Sequence, residues 1–310
     1  MASEATIVAP RPASTILLLR DSADAAEGRG EIEIFMMVRH YEIDFASGAL
    51  VFPGGSVEKS DHEIIAHPEL YSGGDGLDAA GLSFRIAAIR ETFEESGILL
   101  ARACGSTALI EAKRAAEIEN ASRAVLLEGK TTFLTVLAEN ALVLALDELV
   151  PYAHWITPLG MPKRFDTWFF LAAAPPAQVG AHDGRESTDS IWLSPREALA
   201  GGESGRFKVP FPTTRNLIKL GKQKSVKAAL EDSRGKPVVT VMPVMTRLNG
   251  GRQLSHPARS RLRRRAVRSW RRVSLRIRTA AKMHEEIADR LIIITNGIDI
   301  RRYRSEKDSS

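Results

Sequence analysis

The chain has one cysteine, Cys104, among its 310 residues. A single thiol excludes an intramolecular disulfide and any metal site built from several thiolates. No apolar run approaches the ~20 residues that a membrane-spanning helix needs. The first twelve residues contain Glu4 and lack the basic start and apolar stretch of a signal peptide. We therefore expect a cytoplasmic protein without a membrane span.

Basic residues outnumber acidic residues only in the last part of the chain, although the net charge of the whole chain is +5. Residues 251–310 contain 17 Lys and Arg against 6 Asp and Glu, whereas residues 1–250 contain 26 against 32. Ten arginines fall between Arg259 and Arg278 with no acidic residue among them. A nucleic-acid partner is therefore supported only by this basic tail, because the rest of the chain is acidic.

An amphipathic helix is predicted from Leu82 to Gly97. Its apolar residues recur at spacings of four, three and four, and Gly97 is suited to a left-handed helix end. Three glutamates share one face, because residues three and four apart are neighbours on a helix; they are Glu91, Glu94 and Glu95. Either this face is simply solvated, or its mutual repulsion is offset by Arg90 and a divalent cation. Ligands that are all oxygen favour Mg²⁺ or Mn²⁺, and such cations imply a phosphate substrate.

The segment that carries these glutamates resembles a known family motif. Residues 90–98, Arg-Glu-Thr-Phe-Glu-Glu-Ser-Gly-Ile, are similar to the second half of the Nudix box, and residues 52–55, Phe-Pro-Gly-Gly, are similar to its start. The resemblance implies a Nudix hydrolase that cleaves a diphosphate linkage. It implies an α/β fold, an α/β/α sandwich with a mixed sheet, whose box helix borders a metal-binding cleft.

The box is interrupted in this chain. Gly55 and Arg90 enclose 34 residues where the contiguous box has 13, an insertion of 21. We place this insertion at about residues 56–81 and expect it to be irregular. Asp61 stands where the box has its first glutamate, and we leave it out of the predicted site. An interrupted box of this kind resembles the Nudix branch of the peroxisomal coenzyme A diphosphatases.

The resemblance assigns roles to residues of the site. It implies that Glu91, Glu94 and Glu95 bind metal, that Arg90 orients a glutamate, and that the backbone of Gly54 and Gly55 approaches the metal and the diphosphate. The general base is predicted to be Glu94 or Glu186.

The substrate implied by this branch is coenzyme A or acyl-coenzyme A, which would yield 3′,5′-ADP and (acyl)phosphopantetheine. Spacing places Asp44 where the coenzyme A signature has an arginine, so the cation for the 3′-phosphate must come from elsewhere. Arg39, Arg85 and Arg164 are the candidates. Asp44 gives some support to ADP-ribose or a dinucleotide as the alternative substrate. A nucleic-acid-binding protein on a Nudix scaffold is the alternative of another class.

Three segments make up the predicted chain: an N-terminal segment at residues 1–13, the Nudix domain at 14–250, and the basic tail at 251–310. Within the domain, strands are predicted at residues 14–20, 32–39, 154–157, 165–174, 190–193 and 238–245. Further helices are predicted at 107–128, 131–149, after Ser194, and at 215–222.

Overall fold

Short apolar strands alternate with amphipathic helices in the computed structural model, which describes residues 8–22, 31–39, 48–178, 180, 187–234, 236–248, 251–256 and 296–297. The helices are α1 (Lys59–Ile65), α2 (Ala79–Ser96), α3 (Ala112–Leu127), α4 (Phe133–Glu139), α5 (Pro195–Glu203), α6 (Phe211–Leu220) and α7 (Val226–Arg234). The strands are β1 (Arg11–Asp21), β2 (Ile32–Arg39), β3 (Leu50–Val51), β4 (Gly54–Ser56), β5 (Tyr71–Ser72), β6 (Ala101–Ala103), β7 (Leu142–Ala145), β8 (Val150–Ile156), β9 (Phe165–Ala173), β10 (Ser187–Leu193), β11 (Thr240–Val241), β12 (Val244–Leu248), β13 (Gly251–His256) and β14 (Asn296–Gly297).

The chain divides into two compact units. The main unit comprises residues 12–153 and 167–237, and the minor unit comprises residues 1–11, 154–166 and 238–310. Among the described residues, no helix is both long enough and apolar enough to cross a membrane.

A mixed sheet forms the centre of the main unit. Its strands run in the order β10-β2-β1-β9-β8, with β3 paired to β2 and β4 paired to β1. The pairing of β1 with β4 is antiparallel and sets Ser14 opposite Gly55 and Thr15 opposite Gly54. A smaller sheet pairs β7 in parallel with β5 and antiparallel with β6. The predicted mixed sheet with helices is confirmed.

The core of the main unit joins the sheet to α2. Alternate residues of β1 (Ile16 and Leu18) and of β2 (Phe35 and Met37) belong to one buried cluster with the apolar face of α2. Ile86, Ile89 and Phe93 on that face are fully buried. The apolar faces of the strands and of the helix therefore pack in one core. The opposite face of α2 remains available for polar side chains.

The minor unit is held by polar contacts of buried side chains. Its β11 pairs in parallel with the end of β8, which places Thr240 beside His154. The His154 ring forms one hydrogen bond with the Thr240 hydroxyl, 2.8 Å, and another with the Asp166 carboxylate. The guanidinium of Arg164, only 6% exposed, donates to the carbonyl oxygens of Val8 and Thr157.

Two predicted elements differ from the structure. Residues 131–149 were expected to be helical throughout, but α4 ends at Glu139, Ala141 adopts a positive φ of 50°, and residues 142–145 form β7. A short apolar run is compatible with a helix or a strand. Residues 142–145 form a strand because they pair with β6. Residues 56–81 were expected to be irregular, yet they include α1, a 3₁₀ turn at Pro68–Leu70, and β5.

Candidate active site

Two glycines of β4 bring the backbone close to α2. A Cβ atom added to Gly54 would lie 2.3 Å from the Ser14 carbonyl oxygen of β1, and the φ of Gly54 is 153°. A Cβ atom added to Gly55 would lie 2.4 Å from the carboxylate carbon of Glu91. Gly54 therefore requires glycine, because a side chain there would meet the backbone of β1, whereas a side chain at Gly55 would displace the Glu91 carboxylate.

Helix α2 carries the three predicted glutamates beside these glycines. The Asp78 carboxylate caps its start by accepting from the Gly81 N–H, and Gly97 ends it in a left-handed conformation with φ 75°. Glu95, only 8% exposed, accepts a 2.7 Å hydrogen bond from the Gly54 N–H. The side chains of Glu91 and Glu94 are 14% and 19% exposed. The glutamates are therefore not a solvated helix face.

The guanidinium of Arg90 lies at the centre of the site. It donates through Nη1 to Glu94 at 2.9 Å, contacts Glu91 at 3.1 Å, and donates through Nη2 to the Ser56 carbonyl oxygen at 2.9 Å. Its Nε and Nη2 atoms bind the two oxygens of Asp61 at 2.7 and 3.0 Å. One cation thus holds carboxylates from α1 and α2 together.

Asp61 is the site residue that the sequence prediction omitted. It is fully buried on α1, where its carboxylate also accepts from the Glu58 N–H at 2.7 Å and so helps to start the helix. The residues added to the box therefore follow Asp61, between α1 and α2, and the first half of the box keeps its spacing. The spacing between Gly55 and Asp61 is that of the box, and it could have identified Asp61 from the sequence. The prediction omitted Asp61 because an aspartate stands where the box has a glutamate.

The pKa values of Glu94 and Arg90 are both raised, for different reasons. Burial raises the pKa of Glu94, and the nearby Glu58 and Asp61 act in the same direction, while Arg90 opposes them. For Arg90, burial alone would lower the pKa, but the hydrogen bonds that it donates to Asp61 and the charges of Glu91, Asp61 and Glu94 outweigh burial and raise the pKa. Arg90 therefore stays cationic, whereas Glu94 takes up a proton more readily than an exposed glutamate.

The other predicted residues lie earlier on α2, at the end of β2, in the minor unit or outside the described residues. Arg85, earlier on α2, sits over the Phe170 ring at 5.0 Å and donates to the Gly81 carbonyl oxygen at 3.2 Å. Arg39 ends β2, and Arg164 belongs to the minor unit with the contacts given above. Glu186 and Asp44 lie outside the described residues.

The donor set of the cluster suits a hard divalent cation. Glu91, Glu94 and Glu95 offer only carboxylate oxygens, which Mg²⁺ and Mn²⁺ prefer. In the part of the chain that the structure describes, no three acidic, histidine or cysteine side chains are already grouped as a metal cluster. The oxygens instead bond Arg90 and the Gly54 N–H, so metal binding would use side chains that these contacts hold close to one another.

Known proteins are similar to this chain in sequence and in structure. The family model of the NUDT19 Nudix domain matches residues 69–220. A Nudix hydrolase from Alicyclobacillus acidocaldarius has a similar structure, with a TM-score of 0.58 and 26% identity, and the match covers 74% of this chain and 99% of that one. The chain is similar to the Nudix hydrolases in sequence and in fold. The matched residues are similar to the NUDT19 branch.

Curated members of this Nudix branch match a large part of the chain. The acyl-coenzyme A diphosphatase NUDT19 of Xenopus laevis is 27% identical over 227 residues, which cover 61% of this chain and 60% of that protein. The acyl-coenzyme A diphosphatase NUDT19 of Gallus gallus is 28% identical over 237 residues, which cover 62% of each. This chain thus spans about three fifths of the length of these relatives.

The buried pair of Asp61 and Arg90 predicts a stability loss. We expect Asp61→Ala to lower the free energy of unfolding by about 3 kcal/mol, because removing one partner leaves a buried charge without compensation. Asp61→Glu restores the charge and should recover part of the loss. Urea unfolding at pH 7 measures both, with Glu117→Ala as the control, since Glu117 forms an exposed pair on α3. A loss in Asp61→Ala no larger than in the control would contradict this role.

The raised pKa of Glu94 predicts that this glutamate lowers the stability of the fold at neutral pH. Because the folded state holds the proton on Glu94 more tightly than the unfolded state does, this glutamate lowers stability at neutral pH. Glu94→Gln should therefore raise the free energy of unfolding at pH 7. The gain should vanish as the pH falls through the ordinary glutamate range of about 4 to 5. Thermal unfolding across pH measures this, and a gain that did not depend on pH would refute it.

Proposed function

We propose that the chain is a diphosphatase that hydrolyses coenzyme A or acyl-coenzyme A to 3′,5′-ADP and (acyl)phosphopantetheine. The observation that carries this proposal is the convergence of Glu91, Glu94 and Glu95 beside Gly54 and Gly55, with Arg90 between the carboxylates. The names of the NUDT19 relatives support the substrate class. Diphosphate chemistry is supported by the site itself.

The charge of the site argues for a metal cofactor. Three carboxylates contact the single Arg90 guanidinium, and the Glu95 carboxylate accepts from the Gly54 N–H. Negative charge is therefore in excess at the site. A diphosphate would be repelled from such a site unless cations lay between the two. We propose Mg²⁺ or Mn²⁺, which would supply charge neutralisation and Lewis-acid activation at the diphosphate.

Each residue has a proposed role. Glu91, Glu94 and Glu95 hold the metal, and Arg90 keeps Glu91 and Glu94 at fixed separations. The Gly54 and Gly55 backbone lies against the glutamates without intervening side chains, so that it can approach the metal and the diphosphate. The general base is Glu94, whose pKa burial raises, or Glu186.

Arg85 is the proposed contact for a phosphate of the substrate. Its contacts among the described residues are the Gly81 carbonyl oxygen and the Phe170 ring, and neither is an anion. Burial lowers the pKa of Arg85, and no carboxylate raises it. A partly buried cation of this kind gains from an incoming anion. It lies six residues before Glu91, about 9 Å along the helix, so a substrate bound at the glutamates could extend to it.

The alternatives concern substrate and partner. ADP-ribose or a dinucleotide would use the same glutamates, and Asp44 at a position where the coenzyme A signature has arginine favours them. Arg39 and Arg164 stay predictions as substrate contacts. Contact with nucleic acid through the tail from Arg259 to Arg278, which lies outside the described residues, also stays a prediction, as does the cytoplasmic location.

A substrate panel tests the proposed reaction. With Mg²⁺ or Mn²⁺, the chain should release 3′,5′-ADP from coenzyme A faster than it cleaves dephospho-coenzyme A, ADP-ribose or NADH, as measured by chromatography of the products. Glu95→Gln should lower kcat on the order of 10²-fold or more, the scale of losing one electrostatic stabiliser. Its amide oxygen can still accept from the Gly54 N–H, so the fold should persist. Glu117→Gln is the control, and turnover unchanged in Glu95→Gln would remove the proposed site.

Arg85 predicts a selectivity that separates two substrates. Loss of one charge-assisted hydrogen bond costs about 1.5–3 kcal/mol, so Arg85→Met should lower kcat/KM on coenzyme A about 10- to 100-fold. Dephospho-coenzyme A, which lacks the 3′-phosphate, should lose much less. Arg206→Met is the control, because Arg206 also lies over an aromatic ring, that of Phe207. Equal losses on both substrates would show that Arg85 does not contact the 3′-phosphate.

A further inference from the structure

The C-terminal end of α2 is capped by a side chain from α3. The last four carbonyl groups of a helix have no partner within the helix. The Gly97 N–H donates to the Phe93 carbonyl oxygen at 2.8 Å, and Arg123 of α3 donates through Nε to the Glu94 carbonyl oxygen at 3.0 Å. The side chain of Arg123 is only 11% exposed. The backbone of a proposed metal ligand is therefore bonded to a residue outside the Nudix box.

Glu119 holds Arg123 in this position. Its Oε1 accepts from Nη1 of Arg123 at 2.8 Å, one helical turn away on α3. The same carboxylate lies against the cap of α2, since a Cβ atom added to Gly97 would lie 2.1 Å from Glu119 Oε1. Glu119 and Arg123 together form a clamp, which we call the α3 clamp, on the last turn of α2.

A cavity adjoins the α3 clamp. Its volume is about 140 Å³, and it is lined by Gly97, Glu119, Ala177, Gln178 and three alanines of α3, Ala112, Ala115 and Ala116. The last turn of α2 is held on its apolar side by the buried Phe93, and the clamp adds polar contacts to that turn beside the cavity. That turn contains Glu94 and Glu95.

We propose that Arg123, held by Glu119, is a positioning residue for Glu94 and Glu95; this inference rests on the proposed function. A guanidinium at the negative end of a helix lessens the cost of placing carboxylates there. Its bond to the Glu94 carbonyl oxygen also prevents fraying of the turn that presents both glutamates. Small displacements of such groups reduce turnover strongly, because the reacting groups must stay aligned.

The experiment compares arginines on the same helix in the full chain. Arg123→Met removes the clamp and keeps the aliphatic part of the side chain. Arg123→Lys keeps the charge but offers one nitrogen in place of the two, Nε and Nη1, that donate to the Glu94 carbonyl oxygen and to Glu119. Arg114→Met is the matched control, because Arg114 forms only exposed contacts with Glu117 and Asn140. Each variant is titrated with Mn²⁺ by electron paramagnetic resonance, and kcat and KM are measured on coenzyme A.

Arg123→Met should weaken the Mn²⁺ binding that depends on Glu95 by about 10-fold and lower kcat by about 10- to 100-fold. KM should change little, because the clamp does not contact the substrate. Arg123→Lys should lie between Arg123→Met and the unmodified chain in both measurements, and Arg114→Met should match the unmodified chain. Thermal unfolding identifies any variant that has lost its fold, and Arg123→Lys then carries the comparison.

The outcomes separate this inference from the proposed function. If Arg123→Met equals Arg114→Met in Mn²⁺ affinity and in kcat, the positioning role is wrong even though the enzyme is active. If the unmodified chain binds Mn²⁺ but cleaves no diphosphate, the proposed function fails. In that case a weaker Mn²⁺ affinity in Arg123→Met still supports the positioning role, and an unchanged affinity overturns it.

Discussion

The arrangement of the site depends on the guanidinium of Arg90. It is almost fully buried and bonds Asp61, Glu94 and the Ser56 carbonyl oxygen, with Glu91 at 3.1 Å. Burying a charge is expensive, and the attraction between partners often only offsets that expense. The network therefore contributes geometry more than stability. It fixes α1, β4 and α2 at separations that leave the glutamates close together, which an apolar contact of the same size would not do.

Close approach of the backbone is the second requirement. Gly54 lies within hydrogen-bonding distance of Glu95, and Gly55 lies so near Glu91 that a methyl group would collide with the carboxylate. The strand that carries these glycines is only three residues long and is held by its pairing with β1. Because β4 is fixed in the sheet and its two glycines have no side chain, their backbone atoms can lie next to the carboxylates of α2.

The sequence was informative where the contacts are local. The spacing of Glu91, Glu94 and Glu95, the pairing of Arg90 with Glu94 and the end of α2 at Gly97 follow from helical geometry, and the structure has the same helix with these contacts. Asp61 could not be recognised in this way, because its partner lies on another helix and 28 residues separate the two along the chain. For the same reason β7 was mistaken for helix, since its strand character comes from pairing with distant residues. Arg123 has no motif at all, and only the packing of α3 on α2 reveals it.

The electrostatics of α2 conflict with its position in the fold. Carboxylates are favourable at the start of a helix and unfavourable at its end, yet the glutamates of the site lie in its last two turns. Burial adds to the cost, as the raised pKa of Glu94 indicates. A sequence selected for stability alone would not place three acids there, and departures from local rules of this kind are expected where function requires them. Arg90 offsets the charges at their side chains and Arg123 offsets them at the helix end. The negative charge that remains is what makes the cluster suited to a divalent cation rather than to a bare phosphate.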